Sequence, residues 1–160
     1  MILSVLLTNP LQGQQGEISK GPQAWFRGGY GPPTTIDVEL AAQYFIFTVE
    51  GRFTSKEVIA DEAAGADAAL LVGLAIPAYD RSYLHASLTM GVAGTWFIPA
   101  SPDGNCPQCP KDLGPSLVFG VHFAFRPTAF LGLGMFGYWN RNSALPFNGG
   151  GVMLELGKLR

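Results

Sequence analysis

The chain has 160 residues, of which 48% are hydrophobic and 14% are charged, and its formal net charge at pH 7 is −2. This length suits a single domain. The apolar composition excludes a disordered chain, and the slightly negative charge excludes a nucleic-acid binder held by a basic face. No run approaches the roughly 18 uncharged apolar residues that a membrane-spanning helix needs. Such a chain is either an unusually apolar soluble β-domain or a β-barrel in contact with lipid.

The first residues have the features of a processing signal. A short apolar run at residues 2–7 is followed by Pro10 and Gly13, as at the end of a secretory signal peptide. We therefore expect residues 1–13 to be a shortened signal peptide with cleavage near Gly13, and residues 14–160 to be the domain. The alternatives are a frayed apolar terminus or a first strand.

From this point the chain alternates with a period of two residues, which predicts β-strands. The predicted strands are residues 23–30, 35–45, 47–54, 69–76, 84–96, 117–126, 131–136 and 151–157. Residues 56–69 are the one helical candidate, and their Ala, Glu and Asp content indicates a loop with a helical turn.

The connections between these strands are predicted to alternate in length. Short ones lie near Ile46, at 77–81 and at 127–129, whereas long ones cover 55–67, 98–115 and 140–148. The exception is the short connection at 31–34. Tight turns at one end and longer loops at the other are typical of outer-membrane barrels.

One face of each strand is almost purely apolar, and the other carries the charges. The charged and histidine positions on that face are Arg27, Asp37, Glu39, Glu50, Arg52, His85, His122, Arg126 and Glu155. A membrane barrel turns its apolar face to lipid and its polar face to the lumen. Three observations favour this inversion over a soluble barrel: the polar face is rich in small residues, its four carboxylates and three arginines nearly balance, and the strands have few lysines. Aromatic residues near the predicted strand ends resemble interfacial girdles.

The chain resembles the small eight-stranded outer-membrane β-barrel proteins of the Gram-negative envelope. The resemblance covers roughly residues 21–160 and rests on the strand rhythm and on the final alternating segment, in which Gly151, Leu154 and Leu156 match the assembly signal of that class. Gly149 stands where a polar residue is expected, and the usual terminal aromatic residue is absent. The resemblance implies an all-β, closed, antiparallel, up-and-down transmembrane barrel of about eight strands in the bacterial outer membrane. Outer-membrane lipid and the barrel-assembly machinery would be its partners.

Such a small barrel is filled by its own side chains. We expect Arg27, Arg52 and Arg126 to pair in the lumen with Asp37, Glu39, Glu50 and Glu155, because unpaired charges are costly to bury. The expected role is non-enzymatic, with a plugged, charge-paired lumen and outside loops that serve structural or interaction roles with an unidentified extracellular partner. The other interpretation of the same charges is a gated proton or ion path.

Two alternatives come from other classes of function. His85 and Ser87 share a face, and a His-x-Ser pair is similar to that of the outer-membrane lipid A deacylases, in which histidine activates serine. In those enzymes the pair faces lipid, whereas the predicted register turns both residues inward, and Leu88 stands where Asn is expected. His85 is therefore predicted to be a lumen residue rather than a catalytic one. His122 is predicted to be a lumen residue rather than a metal ligand, because one histidine per strand is not a ligand set. The other alternative is a soluble barrel that binds an apolar ligand, with its charges outside.

The most distinctive local motif is Cys106-Pro107-Gln108-Cys109 in a predicted outside loop. In an oxidising envelope the expected state is a disulfide that stiffens this loop. A redox pair, part of a metal site and free thiols remain open. No cofactor, metal or nucleic-acid partner is predicted.

Overall fold

The chain forms a closed barrel of eight antiparallel strands. The computed structural model describes residues 21–32, 35–59, 63–76, 83–99, 115–142 and 147–159. The strands are β1 (Gln23–Gly31), β2 (Thr35–Tyr44), β3 (Phe47–Ile59), β4 (Ala63–Ala75), β5 (Leu84–Pro99), β6 (Pro115–Phe125), β7 (Leu131–Arg141) and β8 (Phe147–Lys158). Each strand pairs with the next along the chain, and β1 pairs with β8. The predicted fold class is confirmed. Within the described ranges there is no helix with the length and apolarity needed to cross a bilayer.

Strict alternation explains why these segments form a sheet with two different faces. Along β2, every second residue from Thr35 is buried and every residue between is exposed. Asp37 and Glu39 therefore point inward, while Leu40 points outward with 67% of its surface exposed. Closing the sheet turns the inward face into a lumen that holds the charges. The outward face is apolar, which is the inverse of a soluble barrel.

The two ends of the barrel differ. At one end, here called the turn end, the strands are joined by residues 45–46, 76–83 and 126–130. At the other, called the loop end, they are joined by residues 32–34, 60–62, 100–114 and 142–146. The start of β1 and the end of β8 both lie at the turn end.

The predicted alternation of short and long connections is wrong at two of the three expected long loops. The expected long loop at 55–67, with its helical turn in 56–69, is an extension of β3 and β4, in which Ser55 pairs with Ala66 and Lys56 with Gly65. The expected loop at 140–148 also shrinks, because β7 runs to Arg141 and β8 begins at Phe147. Apart from Val58 and Ile59, the extensions of β3 and β4 consist of small and polar residues, so no apolar alternation marks them, although the backbone pairing continues. Only the connection at 100–114 is long.

Three predictions fall outside the described residues. These are the signal peptide at 1–13, the disulfide between Cys106 and Cys109, and the turn at 77–81.

Aromatic side chains ring the outer surface near both ends. At the turn end these are Tyr44, Phe45, Phe47, Tyr83, Phe125 and Phe130, and at the loop end Tyr30, Trp96 and Trp139; each is at least 39% exposed. Amphipathic aromatic rings are favoured where hydrocarbon meets the polar layer of a bilayer. The two rings therefore fit a barrel that spans a membrane between them.

Candidate functional site

The candidate site is the lumen, and its centre is the guanidinium of Arg27. The strand register places Arg27 directly opposite Glu39 on β2 and Glu155 on β8. Its Nε lies 2.7 Å from Glu155 Oε1, and its Nη1 lies 2.5 Å from Glu39 Oε1 and 3.3 Å from Glu50 Oε1. All four side chains are fully buried. A single arginine thus holds carboxylates from three strands.

The turn end of the lumen is filled by a second arginine and by apolar side chains. Arg126 Nε donates to Glu155 Oε2 at 2.7 Å, and its Nη1 donates to the backbone oxygen of Leu159 at 3.2 Å. Arg126 also stacks on the ring of Trp25, at 4.6 Å from the centroid. Trp25 and Leu159 pack in one buried cluster at 1% and 0% exposure. These groups form a floor, which we call the Trp25 floor.

A tighter cluster lies in the middle of the lumen, between β2, β3 and β6. His122 Nε2 is 3.0 Å from Glu39 Oε2, and its Nδ1 is 3.8 Å from Glu50 Oε1. Ser87 Oγ lies 3.2 Å from His122 Nδ1, and Thr89 donates to Glu50 Oε2 at 2.9 Å. The register explains the first of these hydrogen bonds, because Ser87 and His122 are direct cross-strand partners. We call Glu39, Glu50 and His122 the central cluster.

The serine that the sequence paired with His85 has a different partner. Both His85 and Ser87 are buried in the lumen, at 2% and 4% exposure. His85 Nε2 lies 3.2 Å from Gln43 Oε1, and its ring packs edge-on against Trp25. Ser87 instead contacts His122. Neither residue of the pair faces lipid, which a lipid-cleaving enzyme of the resembled type requires.

The loop-end half of the lumen is polar but less tightly paired. Arg52 Nε lies 3.8 Å from Asp37 Oδ1, beyond hydrogen-bond distance, and its guanidinium stacks over Tyr138 at 5.2 Å. Thr54 donates to Asp37 Oδ1 at 2.7 Å. Among the described residues, none of the three guanidinium nitrogens of Arg52 has a hydrogen-bond partner.

Three lumen residues were missed by the sequence analysis. Asp67 is fully buried and accepts a hydrogen bond of 2.8 Å from Asn140, and Trp25 and Tyr138 stack on arginines. Asp67 is in phase with Ala69 and the later inward residues of β4, but it was assigned to a loop. Trp25 likewise lies in phase between two inward positions. Extending the predicted alternation of β4 and β7 by one step would have found Asp67 and Tyr138, whereas Trp25 already lies within the predicted first strand.

These additions change the charge balance of the lumen. Five carboxylates (Asp37, Glu39, Glu50, Asp67 and Glu155) face three arginines (Arg27, Arg52 and Arg126), and all are buried. Among the described charged groups that are fully buried, the carboxylates therefore outnumber the guanidiniums by two.

The predicted assembly signal lies on β8. Leu154 and Leu156 point outward, and Gly151 is half-buried at the junction with β1. Gly149, which replaces the expected polar residue, faces inward against Tyr138. The aromatic residue expected at the end of the strand is replaced by a segment in which Leu159 turns into the Trp25 floor.

Comparison with known proteins supports the fold. No protein-family model and no curated protein sequence matches the chain. The backbone structure of the outer-membrane protein Ail of Yersinia pestis, in a phospholipid bilayer nanodisc, superposes with a TM-score of 0.55 at 11% identity, covering 86% of this chain and 99% of that one. The crystal structure of Ail, the attachment invasion locus protein of the same organism, gives 0.43 at 11% identity, covering 85% and 93%. The fold is that of a small outer-membrane β-barrel, as the resemblance implied.

Proposed function

We propose that this chain is a non-enzymatic β-barrel of the bacterial outer membrane, with a lumen plugged by paired charges. The observation that carries the proposal is the inversion of the two faces. Thirty-two large hydrophobic side chains of the described residues are exposed on the outside, whereas the charges named above are buried. Soluble monomers rarely expose contiguous apolar patches larger than a few hundred Å². A soluble barrel with an apolar interior is the opposite arrangement, and the structure contradicts that alternative.

A plugged lumen follows from what fills it. Arg27 and Glu155 span the middle, and Arg126, Trp25 and Leu159 close the turn end. Charges that are hydrogen-bonded to one another are costly to separate in a low-dielectric interior, so an open water channel is disfavoured. This supports a structural role for the barrel wall and leaves contacts with an extracellular partner to the loop end. Two further partners are proposed: the barrel-assembly machinery, which would recognise β8, and the lipid around the barrel.

The barrel itself is tested by heat-modifiability. Residues 14–160 refolded in detergent micelles should run on a cold denaturing gel at one mobility unboiled and at another after boiling, with strand-rich circular dichroism. A closed membrane barrel resists the detergent until it is heated. A chain that folds in plain buffer and shows no mobility change would overturn the proposal.

Orientation is tested with epitope tags on intact Gram-negative cells. A tag within residues 100–114, at the loop end, should bind antibody on whole cells. The matched control is the same tag at 127–129, at the turn end, which should bind only after the outer membrane is permeabilised. The reverse pattern would contradict an outside loop end.

The enzyme alternative is tested by lipid A analysis. Mass spectrometry of lipid A from cells that express the wild-type chain, and from cells that express Ser87→Ala, should give identical acylation. Loss of an acyl chain that depends on Ser87 would refute the non-enzymatic assignment.

A further inference from the structure

The central cluster has the composition and spacing of a cation site. Glu39, Glu50 and His122 each offer a ligand atom, and these atoms lie within 4.8 Å of one another. All three side chains are at most 1% exposed. From the sequence no metal site is predicted here, because each histidine stands alone on its strand. Barrel closure removes that objection, since it brings ligands from β2, β3 and β6 to one point.

Two of the candidate ligand atoms lack any other partner. His122 Nε2 and Glu39 Oε2 are 3.0 Å apart, and neither atom has a well-aligned hydrogen-bond partner among the described residues. Buried polar atoms are rarely left in this state. Two ligands bound to one tetrahedral zinc ion at 2.0–2.1 Å lie about 3.3 Å apart without pointing at each other. The observed pair therefore fits two ligands of a shared ion.

The surrounding contacts hold these ligands in position. Ser87 engages Nδ1 of His122, which leaves Nε2 as the atom directed into the cluster. Arg27 binds Glu39 through Oε1 and leaves Oε2 for the cluster, while Thr89 steadies Glu50. Metal-binding histidines generally have their second ring nitrogen bonded in this way, and ligating carboxylates are themselves hydrogen-bonded.

The lumen also has charge to balance. Its five buried carboxylates exceed its three arginines by two, which equals the charge of one divalent ion. Imidazole together with carboxylates suits a borderline ion such as Zn²⁺ better than a purely oxygen-binding one. We propose that Glu39, Glu50 and His122 bind one divalent transition-metal ion of the zinc type inside the barrel, where it ties β2, β3 and β6 together. This inference goes beyond the proposed function and does not depend on the role of the loops.

The test measures zinc held by the refolded chain. The parent carries Cys106→Ser and Cys109→Ser, so that thiols cannot contribute. It is refolded in detergent with Zn²⁺ present, because the lumen is closed, and excess metal is removed by gel filtration. We expect about one zinc per chain in the parent by elemental analysis, and less than a tenth of that after His122→Gln or Glu39→Gln. The matched control is His85→Gln, a second buried lumen histidine outside the cluster, which should retain the full amount.

Each outcome decides the proposal. The unboiled gel shift is recorded for every variant, so that loss of metal is scored only in folded protein. If neither variant folds, refolding the parent with Co²⁺ gives the answer, because imidazole and carboxylate ligation in a tetrahedral site produces visible absorption bands. Zinc retained by folded His122→Gln, or a folded parent without zinc and without cobalt absorption, would overturn the site. Because the gel shift reports barrel closure separately, such a failure leaves the proposed function standing.

Discussion

Removal of Arg27 should destabilise the barrel more than removal of any other single lumen charge. The guanidinium contacts Glu39, Glu50 and Glu155 at 2.5, 3.3 and 2.7 Å, in full burial. Arg27→Met keeps most of the side-chain length and deletes all three contacts. Glu155 retains Arg126, but Glu39 loses its hydrogen bond to an arginine. Removing one partner of a buried ion pair costs about 3–5 kcal/mol.

The matched control is Arg52→Met, on β3. Arg52 is equally buried, but its ion pair among the described residues is the looser one with Asp37, at 3.8 Å, and Asp37 keeps its hydrogen bond from Thr54. The expected loss is about 1–2 kcal/mol, the cost of one imperfectly compensated buried group. The two variants should therefore differ by about 2 kcal/mol, or roughly 30-fold in the unfolding equilibrium constant.

Urea unfolding in lipid vesicles, followed by tryptophan fluorescence, measures both free energies of unfolding. A third variant, Arg27→Met with Glu39→Gln, removes the carboxylate that loses its closest partner. It should recover stability relative to Arg27→Met, with a coupling energy of about 1–3 kcal/mol between the two sites. If Arg27→Met costs no more than Arg52→Met, and Glu39→Gln recovers nothing, charge pairing does not hold the lumen together.

Two further predictions concern the wall and the floor. In β5, a Cβ added at Gly91 would lie 1.9 Å from the backbone oxygen of Leu70, whereas nothing lies within 4 Å of one added at Gly94. In the same urea assay Gly91→Ala should be destabilised by more than about 2 kcal/mol and Gly94→Ala by less than about 0.5 kcal/mol; equal losses would contradict the close approach of β4 and β5. In planar bilayers the wild-type chain should not conduct ions steadily. The double variant Trp25→Ala with Leu159→Ala should show brief openings, because it removes two of the side chains that form the Trp25 floor. Identical current traces would mean that the barrier to ions lies elsewhere in the lumen.

Much of the wall was predictable from residue order alone. Alternation along β2 and β6 separates an apolar face from a polar one. In a closed barrel one face of each strand forms the outer surface and the other lines the lumen. Once the chain is recognised as a membrane β-barrel, the alternation therefore predicts that the side chains of Arg27, Glu39 and His122 point into the lumen. The lengths of β3 and β4 could not be predicted in this way. Residues 55–67 lack an apolar face, and backbone pairing alone produces no pattern in the sequence.

The grouping of lumen side chains depends on height along the barrel, and alternation contains no information about height. Glu39 and His122 are in contact only because β2 and β6 face each other across the lumen at a particular stagger, which is set by the shear of the closed sheet. A different shear would keep every residue on the same face and still separate these two. For this reason the sequence predicts an ionic lumen but not a central cluster, and a histidine that looks isolated on its strand can belong to a ligand set built from three strands.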